Sequence, residues 1–472
     1  MNRNLLEYGK PTVCRIAAVL LLLSLLYASL PRLGAVSAAS RDKKWRKDLK
    51  VLRKNLPGMH PNLFFKLTPD AFNQAVDELD SAIPSLQDHE IIVGMTRIVA
   101  MVGDSHTRLD WEQTATAFRA FPLRLWWFSD GLYVTATTAD YQRALGAKLV
   151  RIGDADIEQA FAAVSSLIPH ENEQWLKARS PDYLVVPEIL NALKILPDME
   201  RGHFVFEEAG GGQFAIDFAP LAKGTPIAWL QWPDASVVTT PLYRKKPGDY
   251  YWFEYLADSQ TFYLKYNLCA EMATLPVDTF AQQLTSFVNS HAVARFVIDL
   301  RDNPGGSTEI LYRIVAVLNN RPDLTRRGHF FVIVGRRTFS SAVLNAVVIK
   351  GSSEALFFGE PTGGKPNSYG EVQRIFLPKT GLEATCSTRL FKVVEGDPPS
   401  FNPDINVEIS SADYLSGRDT VLEEILKSGG QQGGLLQWFS ARHSSSSRQP
   451  SALTPVKPRR SNSLSDGLKL ST

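Results

Sequence analysis

Two stretches decide the fold: Asp299-Leu300-Arg301-Asp302-Asn303-Pro304-Gly305-Gly306 and, one strand later, Arg337-Thr338-Phe339-Ser340-Ser341-Ala342. Each follows a short apolar run rich in β-branched and aromatic residues, Arg295 to Leu300 and Phe330 to Val334, which reads as a buried strand. Outward from them, strand and helix alternate. Phe262 to Tyr266 is a predicted strand, 278 to 290 a predicted helix, and another helix runs from the Ser341 turn to Lys350. That rhythm belongs to an α/β domain. Further on, Glu371 to Leu377 and Leu382 to Phe391, joined at Lys379-Thr380-Gly381, read as a hairpin.

In open α/β sheets, reactive groups gather on loops past the C-terminal ends of the strands. The Asn303-Pro304-Gly305-Gly306 loop offers backbone N–H groups unobstructed by side chains, as an oxyanion hole requires. The second loop sets Ser341 at the start of a helix, where the dipole and the Ala342 N–H favour developing negative charge. A serine in that position is more often a helix cap than a nucleophile. The pairing of glycine loop and serine turn, one strand apart, shifts the balance toward chemistry. Ser340 is the competing nucleophile.

Toward the N-terminus, Thr68 to Met101 has helical periodicity and stops at Gly103-Asp104-Ser105-His106. From Phe121 the pattern changes to short strands and turns, followed by a helix from about Asp156. Residues 41–54 set Trp45, Leu49 and Leu52 on one helical face, a first helix with anionic lipid as an alternative contact. Lys10 and Arg15, the apolar run Ile16 to Leu30 and the small residues Ala35 to Ala39 read as an export signal or anchor. Either puts the body outside the cytosol, with membrane anchoring through that segment a possible outcome. Residues 427–472, rich in Gly, Gln, Ser, Pro and Arg, read as a disordered tail.

Composition narrows the function. With 44% hydrophobic and 21% charged residues over 472 positions, the chain is ordinary globular protein. Lys+Arg 51 against Asp+Glu 49 gives no field for nucleic acid. No Cys/His cluster has metal-ligand spacing, and neither a metal nor another cofactor is expected. Cys269 and Cys386 fit a disulfide or two buried thiols equally.

The ordered set GDSHTRL (103–109), DLRDNPGG (299–306), TFSSA (338–342), GEPTGGKPNSYG (359–370) and NPDINVE (402–408) resembles the S41 or tail-specific protease family, its tricorn-core-like branch included. The resemblance covers roughly His60 to Glu408. It implies a Clp-protease/crotonase-like α/β spiral core, a helical N-terminal region and a degenerate PDZ-like β-rich module. The layout is then 1–38 signal or anchor, 39–115 helical region, 116–200 PDZ-like module with helical extension, 201–260 β-rich connector, 261–426 catalytic core and 427–472 tail. The implied activity is a serine peptidase acting on peptides or unfolded proteins. Ser341 is its implied nucleophile, with Gly306 or Gly305 and Ala342 as oxyanion donors.

Two bases compete within the family pattern. Processing peptidases use a lysine after the serine, and Lys365 in Gly364-Lys365-Pro366 lies 24 residues beyond Ser341. The tricorn-like branch uses a Ser-His pair, resembled by Ser105-His106, with a late acidic residue at the place of Asp397. Pro366 replaces the usual glycine, and histidine titrates near neutrality unaided, so His106 is preferred. Two other readings are open. One is an esterase using Ser105 after an Ile98 to Val102 strand, although the Asp-x-x-His such enzymes carry near the C-terminus is absent. The other is a ligand- or peptide-binding protein on the same scaffold.

Overall fold

The computed structural model describes residues 38–113, 118–233 and 238–428. The export segment up to residue 37 and the tail beyond 428 lie outside the described residues. No helix among the described residues is long and apolar enough to cross a membrane.

A six-stranded sheet forms the core, in the order Ile405–Asn406, Leu356–Gly359, Phe330–Val334, Arg295–Asp299, Thr261–Tyr266, Tyr251–Leu256. All neighbours are parallel except the last pair, which is antiparallel. Period-two side-chain alternation assigns each strand to both faces at once. Phe330, Val332 and Val334 point into one cluster with Val277, Phe280 and Leu284 of the helix Val277–Ser290. Phe331 and Ile333 point the other way, against Val421, Leu422 and Ile425 of the helix Thr420–Ser428. Helices on both faces explain why the Phe330–Val334 strand is apolar at every position.

The expected helical N-terminal region is present as a helix over 38–59, then Pro69–Ala82 and Asp88–Ala100. Thr68 caps the second by accepting the Ala71 N–H at 3.1 Å, with Pro69 at its first position. Trp45, Leu49 and Leu52 are at most 4% exposed, so that face belongs to the core and not to a lipid surface. From the same helix, Asp48 accepts the N–H groups of Lys379 and Thr380. It thereby holds the turn of the hairpin Ser368–Phe376/Glu383–Phe391. The helix Asp88–Ala100 also removes the strand that the Ser105 esterase reading needs before its serine.

A second sheet has seven strands, all paired antiparallel. It takes in Leu123–Phe128, Gly131–Thr137 and Lys148–Ile152, and also Gly202–Glu207 and Gln213–Phe218. The sheet thus runs on past residue 200, and Tyr251–Leu256 of the expected connector joins the core instead.

A third, small sheet matters most for the site. Arg108–Leu109 pairs antiparallel with Glu383–Phe391, Arg108 opposite Thr385 and Leu109 opposite Ala384. This pairing carries the loop just before it, with Ser105 and His106, against the core.

Candidate active site

The serine turn and the glycine loop are tied into one unit by the residues between them. Thr338 Oγ1 donates to the Leu300 carbonyl at 2.8 Å and accepts the Gly335 N–H at 2.9 Å. The Phe339 N–H donates to the Asn303 carbonyl at 3.0 Å. Asn303 in turn accepts the Gly305 N–H on Oδ1 at 2.9 Å and donates from Nδ2 to the Tyr266 carbonyl at 2.9 Å. Gly305, at φ 102°, lies so close to the turn that a Cβ there would sit 2.6 Å from Ser340 Cβ and 2.9 Å from Ser341 N. Only glycine fits that approach.

Ser340 has φ 50° and ψ −128°, a left-handed conformation costing an L residue on the order of 1–3 kcal/mol. It is the last residue before the helix Ser341–Ser352. Its side chain is half-buried, and its hydroxyl has no hydrogen-bond partner among the described residues. Ser341 differs: it is only 9% exposed, and its hydroxyl donates to the Gly306 carbonyl at 2.5 Å. Two of the expected oxyanion donors are engaged elsewhere, Gly305 N–H with Asn303 and Ala342 N–H with the Phe339 carbonyl at 3.0 Å. Their place is open to the N–H groups of Gly306 and Ser341, which have no partner among the described residues.

His106 reaches this turn through its ring. The imidazole stacks on Phe339, centroids 4.5 Å apart, and Phe339 stacks on Trp175 at 4.2 Å. Its carbonyl accepts from Thr385 Oγ1 at 2.8 Å, which fixes the loop to the hairpin. Burial pushes the imidazole pKa below its ordinary value, against the pull of Asp104 upward, and Arg108 lowers it further. A neutral imidazole at physiological pH is the form a general base needs. Asp104 is fully buried: Oδ2 accepts from Thr107 Oγ1 at 2.6 Å and lies 3.2 Å from His60 Nε2, while Oδ1 accepts the His106 N–H at 3.0 Å. Its Oδ1 is 3.9 Å from His106 Nδ1, an electrostatic neighbour but no hydrogen-bond acceptor for the ring.

Lys365 and Asp397, expected as alternative base and as orienting acid, bind each other. Lys365 Nζ is 2.6 Å from Asp397 Oδ2, and the Asp397 side chain is 70% exposed. Gly364 nevertheless brings this loop to the turn, since a Cβ on it would lie 2.9 Å from Phe339 Cα and 3.1 Å from Ser340 N. A cleft of about 250 Å³ opens beside it, lined by Phe65, Glu171, Lys365, Tyr369, Leu390 and Lys392. Cys269 and Cys386 are free and buried, with thiol pKa values pushed up by burial to about 11 and about 12. No group of His, Cys, Asp and Glu among the described residues has the arrangement of a metal site.

Sequence reasoning missed Glu171. It stands in the loop before the helix Glu173–Tyr183, far in sequence from the residues it meets. Its Oε1 accepts the Ser105 N–H at 3.1 Å. Lys66 Nζ clamps the two loops, donating to the Gly103 carbonyl at 3.0 Å and the His170 carbonyl at 3.2 Å. Asn172 Nδ2 ties the same segment to the carbonyls of Gly363 at 3.0 Å and Pro399 at 2.7 Å. Burial first, then the Asp104 charge, raise the Glu171 carboxyl to about 7, while Ser105 and Lys66 oppose the rise. The fold therefore binds this proton more tightly than the unfolded chain, where the carboxyl titrates at 4.5. The stabilisation is complete below that pH and is lost as pH rises through about 7. Glu171→Gln is expected to raise the unfolding midpoint at pH 8.5 by about 2–4 °C. The gain should shrink toward zero at pH 4.5, and scanning calorimetry at both pH values checks it.

The fold is an α/β spiral core of the Clp-protease/crotonase type with a helical N-terminal region. No family model and no curated protein matches the chain. Solved structures do. Mature CPAF complexed with lactacystin is 13% identical over 82% of this chain and 98% of that one, with a TM-score of 0.58. Mature CPAF alone gives 13% identity, coverage of 83% and 99%, and a TM-score of 0.58. The photosystem II D1 C-terminal processing protease, at 12% identity and coverage of 82% and 98%, has a TM-score of 0.38. The chain thus has the fold that the S41 resemblance implied, over nearly the whole length of the CPAF chain.

Proposed function

We propose that this protein is a serine-type peptidase that cleaves extended or unfolded polypeptide through an acyl-enzyme, with Ser340 as nucleophile and His106 as general base. The observation that carries the reading is the Ser340 turn. A strained, half-buried serine with an unpartnered hydroxyl stands at a helix start, against a glycine loop and beside a buried imidazole. Strain of this kind persists where function requires it. Ser341, favoured by position in the sequence, has its hydroxyl turned onto the Gly306 carbonyl. Its N–H, by contrast, is free to serve.

The chemistry follows from those placements. Ser340 Oγ attacks the scissile carbonyl carbon as its proton passes to His106. The carbonyl oxygen gains negative charge and is held by the N–H groups of Gly306 and Ser341 near the positive end of the helix. His106 then protonates the leaving amine, and water repeats the cycle to free the acid. The S41-type fold and the neighbouring cleft support an extended polypeptide as substrate, and the export segment read in residues 1–38 would place the activity outside the cytosol.

Incubation of the full chain with an unfolded casein, followed by mass spectrometry of the products, tests the reading. New peptide ends that are abolished by fluorophosphonate treatment support it. Intact casein together with an unlabelled chain would favour a binding protein. Lys365→Met is expected to keep hydrolysis within about threefold of wild type, whereas a general base contributes roughly 100-fold or more. A loss of that larger size would move the base role to Lys365.

A further inference from the structure

Four buried polar atoms next to the serine turn lack any hydrogen-bond partner: Glu171 Oε2, Ser105 Oγ and both ring nitrogens of His106. Orphaned groups are rare in native interiors, and each is costly. Here they fall on consecutive or touching residues. Ser105 adjoins His106 in the chain, and the Ser105 N–H already donates to Glu171 Oε1. The Ser105 hydroxyl is close enough to bias the Glu171 carboxylate without forming a bond in this arrangement. The donors and acceptors of a continuous chain from carboxylate to imidazole are therefore all present on these three residues.

We propose that Glu171 is the positioning carboxylate of the site, acting through the Ser105 hydroxyl on the His106 imidazole. The proposal rests on the peptidase reading for its catalytic role. Asp397, at the family's place for an acid, faces outward to Lys365, and Asp104 has both oxygens taken by Thr107, His60 and the His106 backbone. Among the described residues, Glu171 is the carboxylate with a buried oxygen still unpartnered. Its segment is held near the loop that bears Asp397 by the Asn172–Pro399 hydrogen bond. Glu171 and Asp397 line the same cleft, and of the two it is Glu171 that bonds to Ser105.

In the joined arrangement one ring nitrogen receives the Ser340 proton, and the other donates its N–H to Ser105 Oγ. The Ser105 O–H donates to Glu171, which stays ionised and takes no proton. The imidazolium formed during attack is then balanced by a charge that reaches it through one hydroxyl. Lys66 and Asp104 are the other charged groups facing Glu171, and Asp104 and Arg108 are those facing His106. Because the Glu171 carboxyl is raised to about 7, its ionisation, and with it the aligned site, falls in the neutral range.

The experiment compares full-length wild type with Glu171→Gln, Glu171→Asp and Asp397→Asn. It measures kcat/KM against pH, and the His106 titration by 15N NMR. Glu171→Gln is expected to lower kcat roughly 100-fold above pH 7 with KM little changed, the low end for acid–base assistance. The rise of the wild-type profile near pH 7 should vanish with it. Glu171→Asp should restore part of the rate, and Asp397→Asn should resemble wild type. Loss of the carboxylate charge should also move the His106 midpoint downward in Glu171→Gln and leave it in place in Asp397→Asn. An unchanged His106 midpoint and an unchanged profile in Glu171→Gln overturn the proposal. The NMR readout does not depend on turnover, so an inactive wild type would overturn the peptidase reading while the Glu171–His106 coupling is still decided.

Discussion

Ser340→Ala is expected to lower hydrolysis of unfolded protein by roughly 10⁴-fold or more, to the residual level that binding and an oxyanion hole supply without a nucleophile. His106→Ala should fall to a similar level, and the double variant should be little worse, because nucleophile and base act as one unit. Ser341→Ala should retain most of the activity, because its contribution is a backbone N–H and its hydroxyl is engaged with Gly306. Alanine also fits the helical conformation of residue 341, the first of a 12-residue helix. At residue 340 the left-handed backbone is awkward for alanine as for serine, so the fold should tolerate that change equally. Initial rates on casein, with circular dichroism of each variant, distinguish lost chemistry from lost structure. Wild-type rates in Ser340→Ala would hand the role to Ser341.

The second large effect concerns stability. Asp299→Ala is expected to cost about 3–5 kcal/mol, the size associated with breaking a buried ion pair and leaving its partner uncompensated. Asp299 is fully buried between two cations: Arg301 Nε lies 2.9 Å away and Lys265 Nζ 3.2 Å, with the Tyr263 hydroxyl donating at 2.5 Å. Lys265 is itself unexposed and, among the described residues, pairs besides only with Asp302, at 2.9 Å. Arg301 continues the network to Asp419, at 3.0 Å and 3.1 Å, and Asp419 Oδ1 caps the last helix through the Leu422 N–H. Burial would raise the Asp299 pKa, but Arg301, then Lys265, hold it down to about 2. Its contribution to stability is therefore present above the ordinary carboxylate value of 3.8 and is lost as pH falls through about 2. Urea unfolding at pH 7 measures the cost. A midpoint unchanged from wild type would mean that the two cations find other partners. Because Asp299 also accepts the Arg301 N–H at 3.0 Å, the variant should loosen the start of the glycine loop and reduce catalysis as well.

Much of the core was legible because parallel strands covered on both faces leave continuous apolar runs. Phe330–Val334 falls where the sequence places it, and Arg295–Asp299 and Val277–Ser290 fall within a residue of their expected limits. What sets Ser340 apart from Ser341 was not legible, since it is one backbone angle that the glycine at 305 permits from across the loop. Lys365 and Asp397 each look available when read singly, and only their spatial pairing shows them bound to each other. Glu171 leaves no local signal at all. It becomes visible when Lys66 and Asn172 bring its loop to Ser105, and when the atoms without partners are followed from one residue to the next.

The proposed chemistry turns on which serine hydroxyl is the nucleophile. Tandem mass spectrometry of the tryptic peptides Thr338–Lys350 and Ile98–Arg108, from wild-type chain treated with a fluorophosphonate, locates the adduct to a single residue. The added mass is expected on Ser340, with none on Ser341 or Ser105. An adduct on Ser341, on Ser105, or on no serine of the chain would contradict that chemistry.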